Sequence, residues 1–170
     1  MNKINLTVFF ILFTQACSAN TSELSEKAYL LASNNFLQAK NKYESKVNEC
    51  NQKKKIIVSP EFQNIELTKE EQVLALVILN NRAESLCESN EAGEFSIASS
   101  IFRTTAKHYN KNTSIADNYT EDLTYGHYWR NLQLETKYLE IPEKKRLLIE
   151  NIEAFKQPFF PLKTLSKLHP

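Results

Sequence analysis

The sequence predicts an all-α protein: a single-domain bundle of about five helices, with an extended connection between helices 1 and 2, braced by one disulfide. Only two glycines occur in 170 residues, which is few for a protein rich in sheets and tight turns. Hydrophobic residues make up 42% and charged residues 24%, a composition typical of globular domains. A chain of this length is sufficient for one domain with a substantial core.

The first predicted helix runs from Glu23 to about Lys53, without glycine or proline. Its apolar residues recur mostly at spacings of three and four, the period of an amphipathic helix: Leu24, Ala28, Leu31, Phe36, Ala39, Tyr43, Val47 and Cys50. A second series recurs at intervals of seven: Tyr29, Phe36, Tyr43 and Cys50. We interpret this series as packing within the protein's own core rather than as a coiled-coil seam.

Pro60 predicts an extended connection over residues 56–67, because proline disfavours helix through this segment. Thr68 and Glu71 form a capping-box pattern, which predicts a second helix from there to about Cys87. A turn is expected over residues 89–93, and the apolar residues that follow predict a third helix to about Tyr109: Phe95, Ile97, Ile101, Phe102 and Ala106.

The polar residues 110–118 predict a loop. Thr120 is the expected N-cap of a fourth helix, and Pro142 suits the first turn of a fifth. The fifth helix should end at Pro158 and bury this apolar face: Leu147, Leu148, Ile149, Ile152 and Phe155. We expect residues 158–162 to lie as an extended strap over the bundle and residues 163–170 to be frayed.

The N-terminus carries the pattern of an export signal. Lys3 precedes an uncharged apolar run over residues 6–13, too short to span a bilayer. The residues that follow are Phe13-Thr14-Gln15-Ala16-Cys17. This segment resembles the lipobox of bacterial lipoprotein signal peptides, in which a small residue precedes the modified cysteine.

The resemblance implies removal of residues 1–16 and attachment of lipid, including palmitate, to Cys17. A polar tether over residues 17–22 would then join the membrane to a helical domain over residues 23–170. Ser18 in place of aspartate implies an outer-membrane lipoprotein, facing the periplasm or the cell surface. Thr14 stands where the motif usually has leucine, so cleavage after Ala19, giving a soluble periplasmic or secreted protein, is the alternative.

Cys50 and Cys87 are the two cysteines left for the folded domain once Cys17 is removed or modified. In an oxidising compartment they predict one structural disulfide, since their spacing fits neither a redox Cys-x-x-Cys motif nor a zinc site. Both lie near the C-terminal ends of their predicted helices. This placement predicts that the first two helices run roughly parallel.

Charge and motifs argue against several functional classes. The net charge of +1 supplies no general attraction for nucleic acid. No phosphate-binding loop, hydrolase elbow, metalloprotease helix or cysteine–histidine pair is present, and His108, His127 and His169 are scattered. We therefore expect no enzyme, no cofactor and no metal site.

Aromatic and basic residues concentrate at Tyr125, Tyr128, Trp129 and Arg130. These residue types dominate binding hot spots, and tyrosine and tryptophan also stack on sugars, so the cluster is a candidate recognition surface. Helical spacing offers a second interpretation, in which Tyr125, Trp129 and Leu132 share one face and belong to the core.

Together these patterns predict an envelope lipoprotein that is a non-catalytic binding or assembly accessory protein. Its membrane contact would be the N-terminal lipid, and its partner another envelope protein or peptide, with cell-wall glycan as a further ligand class. One alternative is a protective binder of the immunity, exclusion or lysozyme-inhibitor type. A second is a cell-wall hydrolase.

Overall fold

The computed structural model describes the backbone of residues 5–121 and 129–168, and the side chains of residues 23–119 and 130–168. The described chain is helical, which confirms the predicted all-α class. Its helices are α1 (Asn5–Gln52), α2 (Pro60–Gln63), α3 (Lys69–His108), α4 (Ser114–Glu121), α5 (Trp129–Tyr138), α6 (Glu143–Glu150) and α7 (Pro161–Leu168), with a 3-10 turn at Glu153–Lys156. Within the described residues, no helix is long and apolar enough to cross a membrane.

The two longest helices, α1 and α3, pack against each other in opposite directions. Partners of α1 residues move back along α3 as α1 proceeds: Tyr29 contacts Phe102, Tyr43 contacts Phe95, and Cys50 is bonded to Cys87. The predicted parallel arrangement is therefore wrong. It assumed that the second helix ends at Cys87, whereas α3 continues for 21 residues beyond that cysteine, to His108.

The predicted turn over residues 89–93 is also wrong, because this segment lies inside α3. Only Gly93 in this segment is a strong helix breaker, and it costs about 1 kcal/mol relative to alanine in a helix interior. The packing of Phe95 and Phe102 onto α1 offsets a cost of that size. The second and third predicted helices are thus one helix.

The disulfide between Cys50 and Cys87 is confirmed, with the Cα atoms 6.1 Å apart. It separates two hydrophobic cores along α3. The aromatic core lies between α1, α4 and the second half of α3, and comprises Ala32, Phe36, Ala39, Phe95, Phe102, Ala106 and Ala116, flanked by Tyr29, Tyr43, Ala98 and Tyr119. The seven-residue series of α1 therefore belongs to the protein's own core, as we interpreted it.

The body core lies between the first half of α3 and the C-terminal elements. Its buried residues are Phe62, Ala75, Leu76, Ile78, Leu79, Tyr138, Ile141, Ile149, Ile152, Phe155, Phe159 and Leu168. Leu24 and Leu31, expected on the apolar face of the first helix, are exposed, as are Leu147 and Leu148 of α6. The apolar faces are narrower than the sequence periodicity indicated.

Both ends of α3 have specific capping interactions. Thr68 Oγ1 accepts from the Glu71 N–H, and a Glu71 carboxylate oxygen accepts from the Thr68 N–H, which confirms the capping box. At the other end, Asn110 has φ 54°, and the Lys111 N–H donates to the Ala106 carbonyl at 2.7 Å. This is a Schellman motif, with asparagine in the left-handed position that glycine usually takes.

The connection between α1 and α3 is extended at its start, as predicted, and contains the short helix α2. Ser59 Oγ accepts from the Phe62 N–H, and Pro60 occupies the first turn. Lys55 forms a parallel bridge with Phe159, and the Ile57 N–H donates to Thr164 Oγ1 at 3.1 Å. The connection is thereby fixed to the C-terminal segment.

Several expectations about the second half of the chain are wrong. Thr120, the expected N-cap of the fourth helix, lies inside α4, and the expected strap over residues 158–162 ends where α7 begins at Pro161. The predicted loop over residues 110–118 contains the start of α4, a short helix fixed to α3 by an Arg103–Asp117 salt bridge of 2.8 Å. The predicted frayed tail contains α7, whose Thr164 and Leu168 are buried. The fifth predicted helix ends early, at Glu150, and a 3-10 turn follows.

Candidate functional site

A recess follows the α1/α3 pair along one side. It consists of two adjoining depressions, of about 670 and 320 Å³, which share Gln38, Lys42 and Glu94. We call the combined recess the α1/α3 groove. Its lining residues are Asn35, Gln38, Ala39, Asn41, Lys42, Ser45, Lys46 and Glu49 from α1, and Glu91, Glu94, Ile97, Ala98 and Ile101 from α3.

One half of the groove is polar and charged. Lys42 Nζ lies 3.3 Å from a Glu94 carboxylate oxygen, and Lys46 Nζ lies 3.2 Å from Glu49. Glu91 is half-buried on the wall from α3 and has no ion-pair or hydrogen-bond partner among the described side chains. Glu49 is also contacted by Lys53, whereas no described lysine contacts Glu91.

The other half is apolar. Ile97 and Ile101, two of the apolar residues that predicted the third helix, are 64% and 53% exposed. They lie one turn apart on α3, beside the smaller Ala98. Leu31 is 63% exposed and one turn before Asn35 on α1, so it extends the same apolar surface.

The opposite side of the α1/α3 pair is closed by α4. The Tyr119 ring packs 6.4 Å from Phe36 and 6.3 Å from Phe95, and Lys40 Nζ lies 4.7 Å from the centre of the Tyr119 ring. Lys40 is two residues from both Gln38 and Lys42, so it projects from the other side of α1. The groove is thus the side of this helix pair that no described element covers.

The predicted aromatic recognition cluster falls largely outside the described residues. Tyr125 and Tyr128 lie outside them, and so does the side chain of Trp129, whose backbone begins α5. Arg130 is exposed, and Leu132, expected to share a core face with Trp129, is 48% exposed. The recognition interpretation of the four residues stays a prediction.

A second cluster of charged side chains surrounds Arg82 on α3. Its Nε and one terminal nitrogen donate to the two carboxylate oxygens of Glu135 at 2.8 and 2.7 Å, and its other terminal nitrogen donates to Glu150 at 2.8 Å. The guanidinium also stacks 5.0 Å from the centre of the Tyr138 ring. The hydrogen bonds to Glu135, then those to Glu150, hold the Arg82 pKa above its ordinary value.

This Arg82 cluster joins α3 to α5 and α6. Burial, followed by the negative charge of Glu150, raises the pKa of the Tyr138 phenol above its ordinary value. Because Nε and both terminal nitrogens of Arg82 already donate to carboxylates of α5 and α6, we assign the cluster to stability rather than to ligand binding. No group of three metal-binding side chains occurs in the described part of the chain.

Sequence reasoning missed the groove because it depends on which sides of α1 and α3 stay uncovered. The sequence shows that Ile97 and Ile101 are apolar residues one helical turn apart. It does not show that their side of α3 faces away from α4. Glu91 lay in a predicted turn and attracted no interpretation. The spacing of Lys42, Lys46 and Glu49 by four and three residues is the sequence signal from which a charged helix face could have been predicted.

Comparison with known protein families, curated proteins and solved structures finds no match for this chain.

Proposed function

We propose that the protein is a non-catalytic binding or assembly accessory protein of the bacterial cell envelope, and that it holds a segment of another envelope protein in the α1/α3 groove. The single observation that carries this proposal is the groove itself. A recess with an apolar half at Ile97 and Ile101 and a charged half at Glu91 offers both contact area and orientation to a bound segment.

The groove is built on a rigid support. Its two walls are joined by the Cys50–Cys87 disulfide at one end and by stacked aromatic rings along the other side, such as Phe36 on Phe102 at 5.3 Å. A binding surface that is already ordered loses less conformational entropy when its partner docks. This rigidity supports binding as the role of the domain.

The envelope location is supported by two independent features of the sequence and fold. The segment that ends at Cys17 resembles a lipoprotein signal, and the Cys50–Cys87 disulfide is of the kind that persists in oxidising compartments. Palmitate labelling of cells producing the wild type or Cys17→Ser tests the anchor. Label on the wild type alone is the expected result, whereas an unlabelled wild type would point to cleavage after Ala19 and a soluble protein.

Site-specific photo-crosslinking in living cells tests the groove. A benzophenone amino acid replaces Gln38 or Ile97, which line the two halves, and a matched control replaces the exposed Glu153 of the 3-10 turn. We expect both groove positions to give the same discrete adduct with an envelope protein, and the control to give none. The absence of any adduct specific to the groove would overturn the groove as the binding site.

A further inference from the structure

We propose that the occupant of the α1/α3 groove is a basic amphipathic helix, with a lysine or arginine over Glu91 and apolar side chains over Ile97 and Ile101. This inference rests on the proposed function and specifies the chemistry of its partner. Three features of the groove support it: Glu91 has no partner among the described side chains, the apolar half lies at Ile97 and Ile101, and the walls have the length of a short helix.

Glu91 determines the sign of the partner's charge. The two lysines of the groove are already paired, Lys42 with Glu94 and Lys46 with Glu49, whereas Glu91 is half-buried without a partner among the described residues. A segment docking over Glu91 removes water from this carboxylate. That desolvation is unfavourable unless the segment supplies a cation, which forms a charge-assisted hydrogen bond there.

Ile97 and Ile101 determine where the apolar side chains of the partner lie. They follow Glu91 by six and ten residues on α3, or about 9 and 15 Å at 1.5 Å per residue. A helix lying along α3 roughly covers these distances when its apolar residues are seven and eleven positions from its cation, about 10.5 and 16.5 Å, and these two spacings keep them on one face. Burial of the two isoleucines contributes the hydrophobic part of the affinity.

The shape of the groove favours a helix over an extended peptide. Its walls are two antiparallel helices that present rows of side chains, the surface into which a third helix packs its own ridges. The wall from α1 runs from Asn35 to Glu49, about 21 Å, which matches a partner helix of about 14 residues. The closed opposite side already holds one helix, α4, against the same pair.

Charge complementarity argues against a second copy of this chain as the occupant. Pairing two copies through this face would bury two Glu91 carboxylates, and the lysines of each groove are already paired with Glu94 and Glu49. A groove lysine of either copy could neutralise them only by leaving an ion pair that it already makes. A partner that brings its own cation resolves this imbalance.

A display library of 18-residue helical peptides, randomised on one face, tests the inference against the full mature chain. Counter-selection uses the Ile97→Asn/Ile101→Asn double variant, which should remain folded because both side chains are exposed. We expect selected peptides to place lysine or arginine seven or eleven positions from leucine, isoleucine or phenylalanine. Acidic selected peptides, or no peptide that distinguishes wild type from the double variant, would overturn the inference.

Charge reversal supplies the residue-level test. Glu91→Lys should weaken the best selected peptide about tenfold or more, and exchanging that peptide's cation for glutamate should restore binding to the variant. Glu140→Lys makes the same charge change at an exposed position outside the groove and should leave affinity unchanged. Equal effects of the two reversals would contradict a specific contact at Glu91.

The outcomes separate this inference from the proposed function. An envelope protein crosslinked at Gln38 and Ile97 through an acidic or extended segment would leave the binding role intact and overturn the basic helix. A concentration-dependent dimer abolished by Ile97→Asn/Ile101→Asn would show that a second copy occupies the groove, which would also overturn it. If neither crosslinking nor peptide selection gives a result specific to the groove, the groove is not the binding site.

Discussion

The backbone N–H of Phe159 donates a hydrogen bond to the side-chain oxygen of Asn80 at 2.9 Å, and both residues are buried. Asn80 also donates from its nitrogen to Glu84 at 3.0 Å. This buried side chain therefore attaches the C-terminal segment to the middle of α3, next to the body core. Its two bonds give Asn80 a structural role that hydrophobic periodicity alone does not predict.

Asn80→Leu should lower the free energy of unfolding by about 1–3 kcal/mol, because it leaves the buried Phe159 N–H without an acceptor. Urea denaturation measures the change. Asn131→Ala is the matched control, since it removes a side-chain hydrogen bond with Asn81 that is only partly buried. We expect that control to cost less than Asn80→Leu, and equal losses would contradict the special role of the buried bond.

Reduction of the Cys50–Cys87 disulfide should lower stability by about 4 kcal/mol, the chain-entropy value for its sequence separation of 37 residues. Thermal unfolding with and without dithiothreitol measures this effect. The Cys50→Ala/Cys87→Ala double variant is the control, because its melting temperature should not respond to the reductant. If dithiothreitol also leaves the wild-type melting temperature unchanged, the disulfide does not constrain the unfolded chain.

Gly93→Ala should raise the free energy of unfolding by about 0.5–1 kcal/mol. Gly93 lies inside α3, and a methyl group added there meets no other atom within 4 Å. Alanine therefore improves helix propensity without steric cost. Denaturant unfolding distinguishes this continuous helix from the turn that the sequence indicated, since alanine in a turn requiring positive φ would destabilise the protein. Gly93→Pro should cost about 3 kcal/mol or more.

Tyr138 should make the fold sensitive to alkaline pH. Burial raises the pKa of its phenol in the folded state above its ordinary value of 10.0. Folding therefore favours the protonated form, and the associated stability is fully present below about pH 10 and is lost as the pH rises toward the folded-state pKa. Between pH 9 and 11, the wild type should lose about 1 kcal/mol more than Tyr138→Phe, which cannot ionise.

Urea midpoints at several pH values measure this difference. At pH 7, Tyr138→Phe should be as stable as the wild type or more so, because the buried hydroxyl makes no hydrogen bond within the described residues. Parallel stability curves for the two proteins up to pH 11 would contradict the burial of this phenol. Tyr43, whose pKa is also raised by burial, is present in both proteins and does not affect the comparison.

Local chemistry made several elements predictable from the sequence. These elements each depend on a few residues whose preferences are strong: the Thr68–Glu71 capping box, the start of a helix at Pro142 and the Cys50–Cys87 pairing. The seven-residue series from Tyr29 to Cys50 likewise marks the face of α1 that packs on α3.

The errors arose where distant contacts override local preference. Gly93 indicated a turn, but the Cys50–Cys87 disulfide before it and the packing of Phe95 on Tyr43 after it fix α3 to α1 on both sides. The resulting continuous helix reverses the expected direction of α3 relative to α1. The helix α4 is only eight residues long with three apolar residues, and its attachment through Asp117 to Arg103 depends on a residue of another helix. The groove is the side of the helix pair that α4 leaves open, so it too depends on the tertiary arrangement.

The contribution of α7 to the body core has a consequence for the order of events during synthesis. A ribosome delivers α3 long before Thr164 and Leu168, and until those residues arrive, Leu76 and Ile78 lack part of their cover. The nascent domain must therefore remain incompletely packed while most of its sequence already exists. The export that we propose for this chain would require such a delay, because a translocation channel accepts chains only before they have become compact.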